Sequence, residues 1–148
     1  MSNLTTNMDL TTFLSQNAIE SDEVKFGPSK RWLDEDGKPI EWTLRPIDSG
    51  EDSAIRKSCT KELPVPGKKG QFRSVADQEK YQAELCVACI VDPNLHDKEL
   101  QDSVRAMGAV DTLNKLLLPG EYVDLLMEVN KLLGYDTPFE EKVEEAKN

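Results

Sequence analysis

The sequence has few of the residues that most enzymes and metalloproteins use for chemistry. Among 148 residues there are three cysteines and one histidine, His96, and no motif pairs a nucleophile with a base. Catalysis would have to rest on carboxylates, which are plentiful here but follow the pattern of helix surfaces. We therefore expect no enzymatic activity and no cofactor.

Basic residues and long apolar runs are also scarce. The chain has 18 Lys and Arg against 28 Asp and Glu, a net charge of −10, which disfavours binding to nucleic acid or to an anionic membrane. No apolar run approaches the ~20 residues of a membrane span, and residues 1–23 lack the pattern of a signal peptide. The odd cysteine count fits a reducing compartment better than a disulfide scaffold, so we expect a cytoplasmic protein.

The two closest cysteines have the spacing of metal ligands. Cys86 and Cys89 form a C-x-x-C pair, and Cys59 and His96 could complete a set of four zinc ligands. The pair lies, however, in the apolar run 85–91, where cysteine commonly behaves as a small hydrophobic residue. We favour core packing and expect no metal site, with a small zinc or redox protein as the alternative.

Residues 40–45 show the clearest alternation of apolar and polar residues. Ile40, Trp42 and Leu44 share one face of a predicted strand, which we expect to lie on a core, while the residues between them face water. Upstream, Asp36-Gly37 supplies the positive φ that a hairpin turn needs. These features predict a β-hairpin at about 24–47.

The rest of the chain is predicted to be mostly helical. Asp48 or Ser49, Ser74 with Asp77, and Asp97 are candidate N-caps, and Met107 is expected to face inward. Prolines and glycines predict an exposed loop at 63–73. Helices are expected at about 11–18, 50–60, 75–91, 97–107, 109–117 and 119–133, with a buried strand as the alternative for the apolar run 85–91.

These elements predict one α+β domain, mostly helical, with an N-terminal β-hairpin. Residues 1–9 are predicted to be a flexible N-terminus, residues 10–134 the domain, and residues 135–148 an acidic, solvated tail. A short helix at 138–146 is the alternative for that tail.

The last predicted helix carries more apolar surface than one core needs. Its apolar arc spans roughly 220°, against the ~100° of a one-sided surface helix. Either neighbouring helices flank it on two sides, or one side meets another chain. Met suits adaptable binding surfaces. The candidate partner-binding residues on this helix are Tyr122, Val123, Leu126 and Met127.

A second candidate contact lies in the predicted loop. Lys68, Lys69 and Arg73 surround Phe72 and form a small basic and aromatic patch. Strong nucleic-acid binding usually needs a broader field of positive charge. We interpret the segment as a solvated loop. If it has a function, we expect a mobile loop that becomes ordered when it binds a protein partner.

The order of short segments along the chain resembles the XkdN-like family of phage tail assembly chaperones, which are found in PBSX-type prophages. No single segment is a mechanistic signature; the resemblance rests on the collinear set, which spans about residues 12–135. The matching segments are 30–42, 55–60, 64–68, 93–95, 99–103, 107–109 and 118–122.

This resemblance implies a non-enzymatic factor made during tail assembly and absent from the finished virion. It would keep the long, aggregation-prone tape measure protein soluble and help the tail tube protein to polymerise around it. Self-association is a further expectation. The rival hypothesis is a virion component, such as a tail completion or connector protein.

Overall fold

The computed structural model describes residues 9–18 and 23–135. Its first segment forms two short 3₁₀ helices, Leu10–Phe13 and Ser15–Asn17, where one helix at 11–18 was predicted. The expectations for residues 1–8 and for the acidic tail beyond residue 135, including a helix at 138–146, lie outside the described residues.

The larger described segment, residues 23–135, contains five strands and five α-helices and confirms the predicted α+β class. The strands are β1 (Val24–Phe26), β2 (Trp42–Leu44), β3 (Thr60–Pro64), β4 (Phe72–Ala76) and β5 (Ile90–Asp92). The helices are α1 (Ser49–Ser58), α2 (Gln78–Cys89), α3 (Lys98–Ser103), α4 (Ala109–Leu116) and α5 (Pro119–Leu132).

The predicted N-terminal hairpin forms two strands of a three-stranded antiparallel sheet. Strand β2 lies in the centre, with Phe26 of β1 opposite Trp42 and Ile90 of β5 opposite Leu44. Strand β5 follows α2 directly, and its pairing returns the chain to the hairpin. The sheet therefore joins residues that are far apart in the sequence.

The connection between β1 and β2 contains the predicted Asp-Gly turn. Gly37 has a φ of 78°, and the Asp34 carboxylate accepts hydrogen bonds from the backbone N–H groups of Asp36 and Lys38, both at 2.9 Å. These contacts account for the acidic residues of the turn through local backbone geometry.

The alternation predicted for residues 40–45 holds only in part. Trp42 and Leu44 are buried as expected, but Ile40 is 44% exposed and Thr43 is buried. Ile40 precedes the strand, so the pleat does not direct its side chain toward the core. Thr43 lies opposite Lys25 of β1, and its hydroxyl accepts a hydrogen bond from the Lys25 ammonium at 2.5 Å.

Aspartate caps define the starts of three helices. Asp48 accepts from the backbone N–H of Glu51 at 2.8 Å, and Asp97 accepts from that of Leu100 at 2.9 Å. Asp77 caps α2, so this helix begins three residues later than the predicted start at 75. Of the candidates considered, Ser49 is the first residue of α1 and Ser74 lies in β4.

Helix α2 lies at the centre of the core, where it packs against α1, α4 and α5. The predicted all-round burial of its second half is confirmed at Leu85, Cys86, Val87 and Cys89. Only Val91, which belongs to β5, is exposed at the end of the run. This apolar helix brings both terminal halves of the chain into one core.

The segment predicted as a loop at 63–73 is instead the outer part of a second β-hairpin. Strands β3 and β4 pair antiparallel from Thr60 opposite Ala76 to Pro64 opposite Phe72. The prediction of exposure is correct. Every residue of β3 is exposed, and in β4 all residues are exposed except Val75, which is half-buried. We call residues 60–76 the arm.

Helix α3 is shorter than predicted. It ends at Ser103, and Met107, expected to face the core, is 91% exposed. Arg105 adopts a positive φ of 57°, which ends the helical course before Met107 is reached. Gly108, with a φ of 93°, precedes α4 as its N-cap, and the predicted helix at 109–117 is confirmed.

Candidate partner-binding surface

Helix α5 provides the surface predicted from the sequence to bind a partner. Pro119 occupies its first turn, and the Glu121 carboxylate accepts a hydrogen bond from the backbone N–H of Leu118 at 2.8 Å. Leu125 and Val129 are fully buried and hold one face of the helix on the core. The helix is therefore fixed in position, and only part of its apolar arc is turned outward.

Val123 and Met127 form the outer part of this arc. Val123 is 52% exposed and Met127 is 66% exposed. They are four residues apart, so their side chains are neighbours on one face of the helix. No described element covers them, which leaves an apolar pair on an acidic protein open to contact with another chain.

Met127 of this pair borders a shallow groove between α5 and the end of β1. Phe26 and Pro28 contribute from the β1 side and Met127 from the helix, and the groove volume is about 320 Å³. Asp124 and Glu128 stand beside Met127 in the same lining. We call Val123, Met127 and this groove the α5 face; it combines an apolar strip with a carboxylate margin.

Tyr122 and Leu126 are only half-buried and pack against the core. Burial raises the pKa of the Tyr122 hydroxyl, with the charges of Cys86 and Glu79 as further causes. These two residues support the α5 face from below, and Val123 and Met127 supply most of its accessible area.

Phe72 lies on a different part of the molecule from the other candidate residues. It opens strand β4 of the arm and is 61% exposed. The arm carries net positive charge, +3, on a chain of net charge −10. The structure therefore separates the predicted partner-binding residues into two surfaces, the α5 face and the arm. The charged residues of the arm are Lys61, Glu62, Lys68, Lys69 and Arg73.

A third apolar surface was not predicted. Trp32 and Ile40, which are 39% and 44% exposed, stand over a groove of about 210 Å³ whose floor includes buried Trp42 and Leu116. We call it the Trp groove. The alternation at 40–45 placed Ile40 toward the core, and no local sequence pattern indicated this groove. The remaining lining residues are Glu41, Asp92, Pro93 and Leu100.

The cysteines belong to the core. Cys59, Cys86 and Cys89 are free and buried, and burial raises the pKa of the Cys86 thiol to about 12 and that of Cys89 to about 11. Such thiols stay protonated and react poorly at neutral pH. Their placement matches the predicted role as small core residues.

His96, the other candidate zinc ligand, lies on the surface. Within residues 9–18 and 23–135, no group of three His, Cys, Asp or Glu side chains is placed to hold a metal ion. None of the described helices combines the length and apolar composition needed to cross a membrane.

Comparison with known families gives one match that spans nearly the whole chain. A sequence model described as the phage XkdN-like tail assembly chaperone protein matches residues 10–147. The match includes both the N-terminal hairpin and α5, so it covers the α5 face, the arm and the Trp groove together.

Two proteins of Bacillus subtilis strain 168 are similar over most of their length. The phage-like element PBSX protein XkdN is 28% identical over 141 residues, which is 95% of this chain and 94% of that protein. YqbN, an uncharacterized protein, is also 28% identical, over 95% of this chain and 93% of its own. The crystal structure of YqbN superposes with a TM-score of 0.71 at 22% identity, covering 87% of this chain and 98% of that one, and shows that the fold is shared.

Proposed function

Because the chain belongs to the phage XkdN-like tail assembly chaperone family, we propose that it binds the tape measure protein of a phage or prophage and keeps it soluble during tail assembly. The role of the family is non-enzymatic. Through the same complex, the chain would assist the tail tube protein to polymerise around the tape measure protein. The activity is one of protein–protein contact in the host cytoplasm, and the chaperone leaves before the virion is complete.

The observation that supports this proposal is the exposed pair on α5. Val123 and Met127 remain 52% and 66% exposed although the helix is anchored on its opposite side by fully buried Leu125 and Val129. Covering the two exposed side chains would contribute roughly 1–2 kcal/mol each. A rigid helix that presents an unsatisfied apolar strip suits a client whose own helices carry apolar stripes.

The charge of the chain is consistent with a solubilising role. Asp124 and Glu128 border Met127, and the chain as a whole carries −10. When a client helix packs its apolar stripe on the α5 face, the acidic surface of the chaperone faces water on the outside of the complex. This surface would keep the complex soluble. The carboxylate margin also favours client segments with basic residues beside the stripe.

Coexpression tests the proposal directly. Overlapping segments of the tape measure protein of the same phage or prophage would be produced with and without the chain, and the soluble fraction of each segment measured after centrifugation. We expect at least one segment to move from the pellet to the supernatant and to co-purify with the chain. If no segment changes its distribution, the proposed client is wrong.

A further inference from the structure

The arm has the features of an interaction element. It is a two-stranded sheet, and no third strand joins it within the described part of the chain. Isolated two-stranded hairpins are marginally stable in water, and open strand edges readily pair with other chains. Phe72 in its outer half is 61% exposed, so most of this ring is not covered by the described part of the chain.

The charge of the arm sets it apart from the rest of the molecule. Its net charge is +3, while the whole chain carries −10. Lys69 and Arg73 lie on either side of Phe72 in sequence, and both are exposed. An element of this chemistry would bind an apolar or aromatic hollow with carboxylates at its margin, through cation–π, aromatic and ionic contacts.

The Trp groove has that complementary chemistry. Trp32 and Ile40 form its exposed wall, Trp42 its buried floor, and Glu41 and Asp92 contribute two carboxylates to its lining. A volume of about 210 Å³ is enough for an aromatic side chain. The groove lies beside the hairpin turn 34–38, in which Asp34, Glu35 and Asp36 outweigh Lys38 and leave a net charge of −2.

We propose that the arm of one copy of this chain docks in the Trp groove of a second copy. Phe72 enters the groove against Trp32, and Lys69 and Arg73 face Glu41 and Asp92. Every copy carries both halves of the contact. Two copies that exchange arms close a two-fold dimer, whereas one arm per neighbour builds an open row. The arm and the Trp groove are distinct from the α5 face. Arm docking and client binding can therefore be tested independently.

Sedimentation of the purified full chain tests the proposal. We expect self-association that increases with concentration and weakens at high ionic strength, because the contact is partly ionic and exposed. The variant Lys69→Glu/Arg73→Glu should weaken the self-association by about tenfold or more. The matched control is Lys57→Glu/Lys131→Glu, which makes the same change in net charge at exposed positions of α1 and α5, and it should associate like the wild type.

Charge exchange identifies the two halves of the contact. Glu41→Lys should weaken self-association on its own, and mixing it with Lys69→Glu/Arg73→Glu should restore a complex that contains both variants. A wild-type chain that stays monomeric at all concentrations overturns the proposal, as does a control variant that weakens association as much as the arm variant.

Cross-linking locates the contact. A Gln71→Cys chain, which keeps Phe72, mixed with an Ile40→Cys chain should form a disulfide-linked heterodimer under mild oxidation, since the three native thiols are buried. A Met107→Cys chain, altered at an exposed position outside both surfaces, is the control partner. Equal cross-linking to Ile40→Cys and Met107→Cys would show random collision and would count against arm-to-groove docking.

Discussion

The Arg31 guanidinium donates a hydrogen bond to the backbone carbonyl of Leu116 at the end of α4. The same side chain lies over the ring of Trp32, with 4.7 Å from Cζ to the ring centroid, and 3.9 Å from the Glu121 carboxylate. A cation at a helix C-terminus is favourable because the last carbonyls are unpaired. Arg31 thus fastens the N-terminal hairpin to the junction of α4 and α5.

We predict that Arg31→Ala lowers the free energy of unfolding by about 1–3 kcal/mol, because it removes a charge-assisted hydrogen bond and a cation–π contact. Urea denaturation followed by circular dichroism measures the change. The neighbouring and exposed Lys30→Ala is the control and should stay within about 0.5 kcal/mol of wild type. Equal midpoints for both variants would mean that the Arg31 contacts do not stabilise the fold.

A second polar link joins α1 to α2. The Tyr81 hydroxyl donates a hydrogen bond to the Asp52 carboxylate, and the Arg56 guanidinium lies over the Tyr81 ring, 4.2 Å from Cζ to the centroid. Burial and then the hydrogen bond to Asp52 raise the pKa of Tyr81 from 10.0 to about 12. The hydrogen bonds from Tyr81 and Arg56 lower the pKa of Asp52 below 3.8.

These shifts predict how stability depends on pH. The folded chain holds the Tyr81 proton more tightly than the unfolded chain, so this stabilisation is complete below pH 10 and is lost as the pH rises toward about 12. Tyr81→Phe should cost roughly 1–2 kcal/mol at neutral pH, and its difference from wild type should shrink across that alkaline window. Denaturation of Tyr81→Phe and of the wild type at a series of pH values measures this difference; a difference that is constant with pH contradicts the link.

The α5 face can be altered without disturbing the core. We predict that Val123→Asp and Met127→Asp each weaken binding of the tape measure segment by about tenfold or more, because a desolvated carboxylate would oppose the client's apolar stripe. The free energy of unfolding should change by less than about 1 kcal/mol, since both side chains are largely outside the core. Titration calorimetry and urea denaturation give the two quantities.

Met107→Asp is the matched control for these variants. It makes the same chemical change as Met127→Asp at a methionine that is 91% exposed but lies outside the α5 face. It should bind the client like the wild type. If Met127→Asp binds the client with wild-type affinity, as the Met107→Asp control is expected to do, α5 does not form the client site.

The chaperone hypothesis predicts that the chain is absent from finished particles. Mass spectrometry of purified virions or prophage particles should detect the tube and tape measure proteins without this chain, while the cytoplasm of induced cells contains it. A stoichiometric presence in particles would instead favour the rival hypothesis of a tail completion or connector protein.

The sequence predicted those elements whose signals are local. Asp48 and Asp97 begin α1 and α3 because their carboxylates satisfy free backbone N–H groups of the first turn, and such caps are visible in the sequence. The wide apolar arc of α5 likewise predicted surplus surface, and Val123 and Met127 are indeed exposed. Whether that surface binds a partner stays a prediction.

What the sequence could not predict depends on contacts between distant residues. The arm was missed because its strands are exposed on both faces and show no alternation, and because Pro64 and Gly67 are typical of loops. Strand β5 was merged into the preceding helix because residues 85–91 are uniformly apolar. The Trp groove is formed by Leu116, Asp92 and the N-terminal hairpin, which are distant in the sequence. No local sequence pattern predicts that they lie together.

Oxidative footprinting of the complex between the full chain and a solubilised tape measure segment tests the central claim most directly. Met127, 66% exposed, and Met107, 91% exposed, both oxidise to sulfoxides in the free chain, and mass spectrometry reads each one separately. Client binding through α5 predicts that oxidation of Met127 falls several-fold in the complex while that of Met107 is unchanged. Unchanged oxidation of Met127 in a saturated complex would contradict the account.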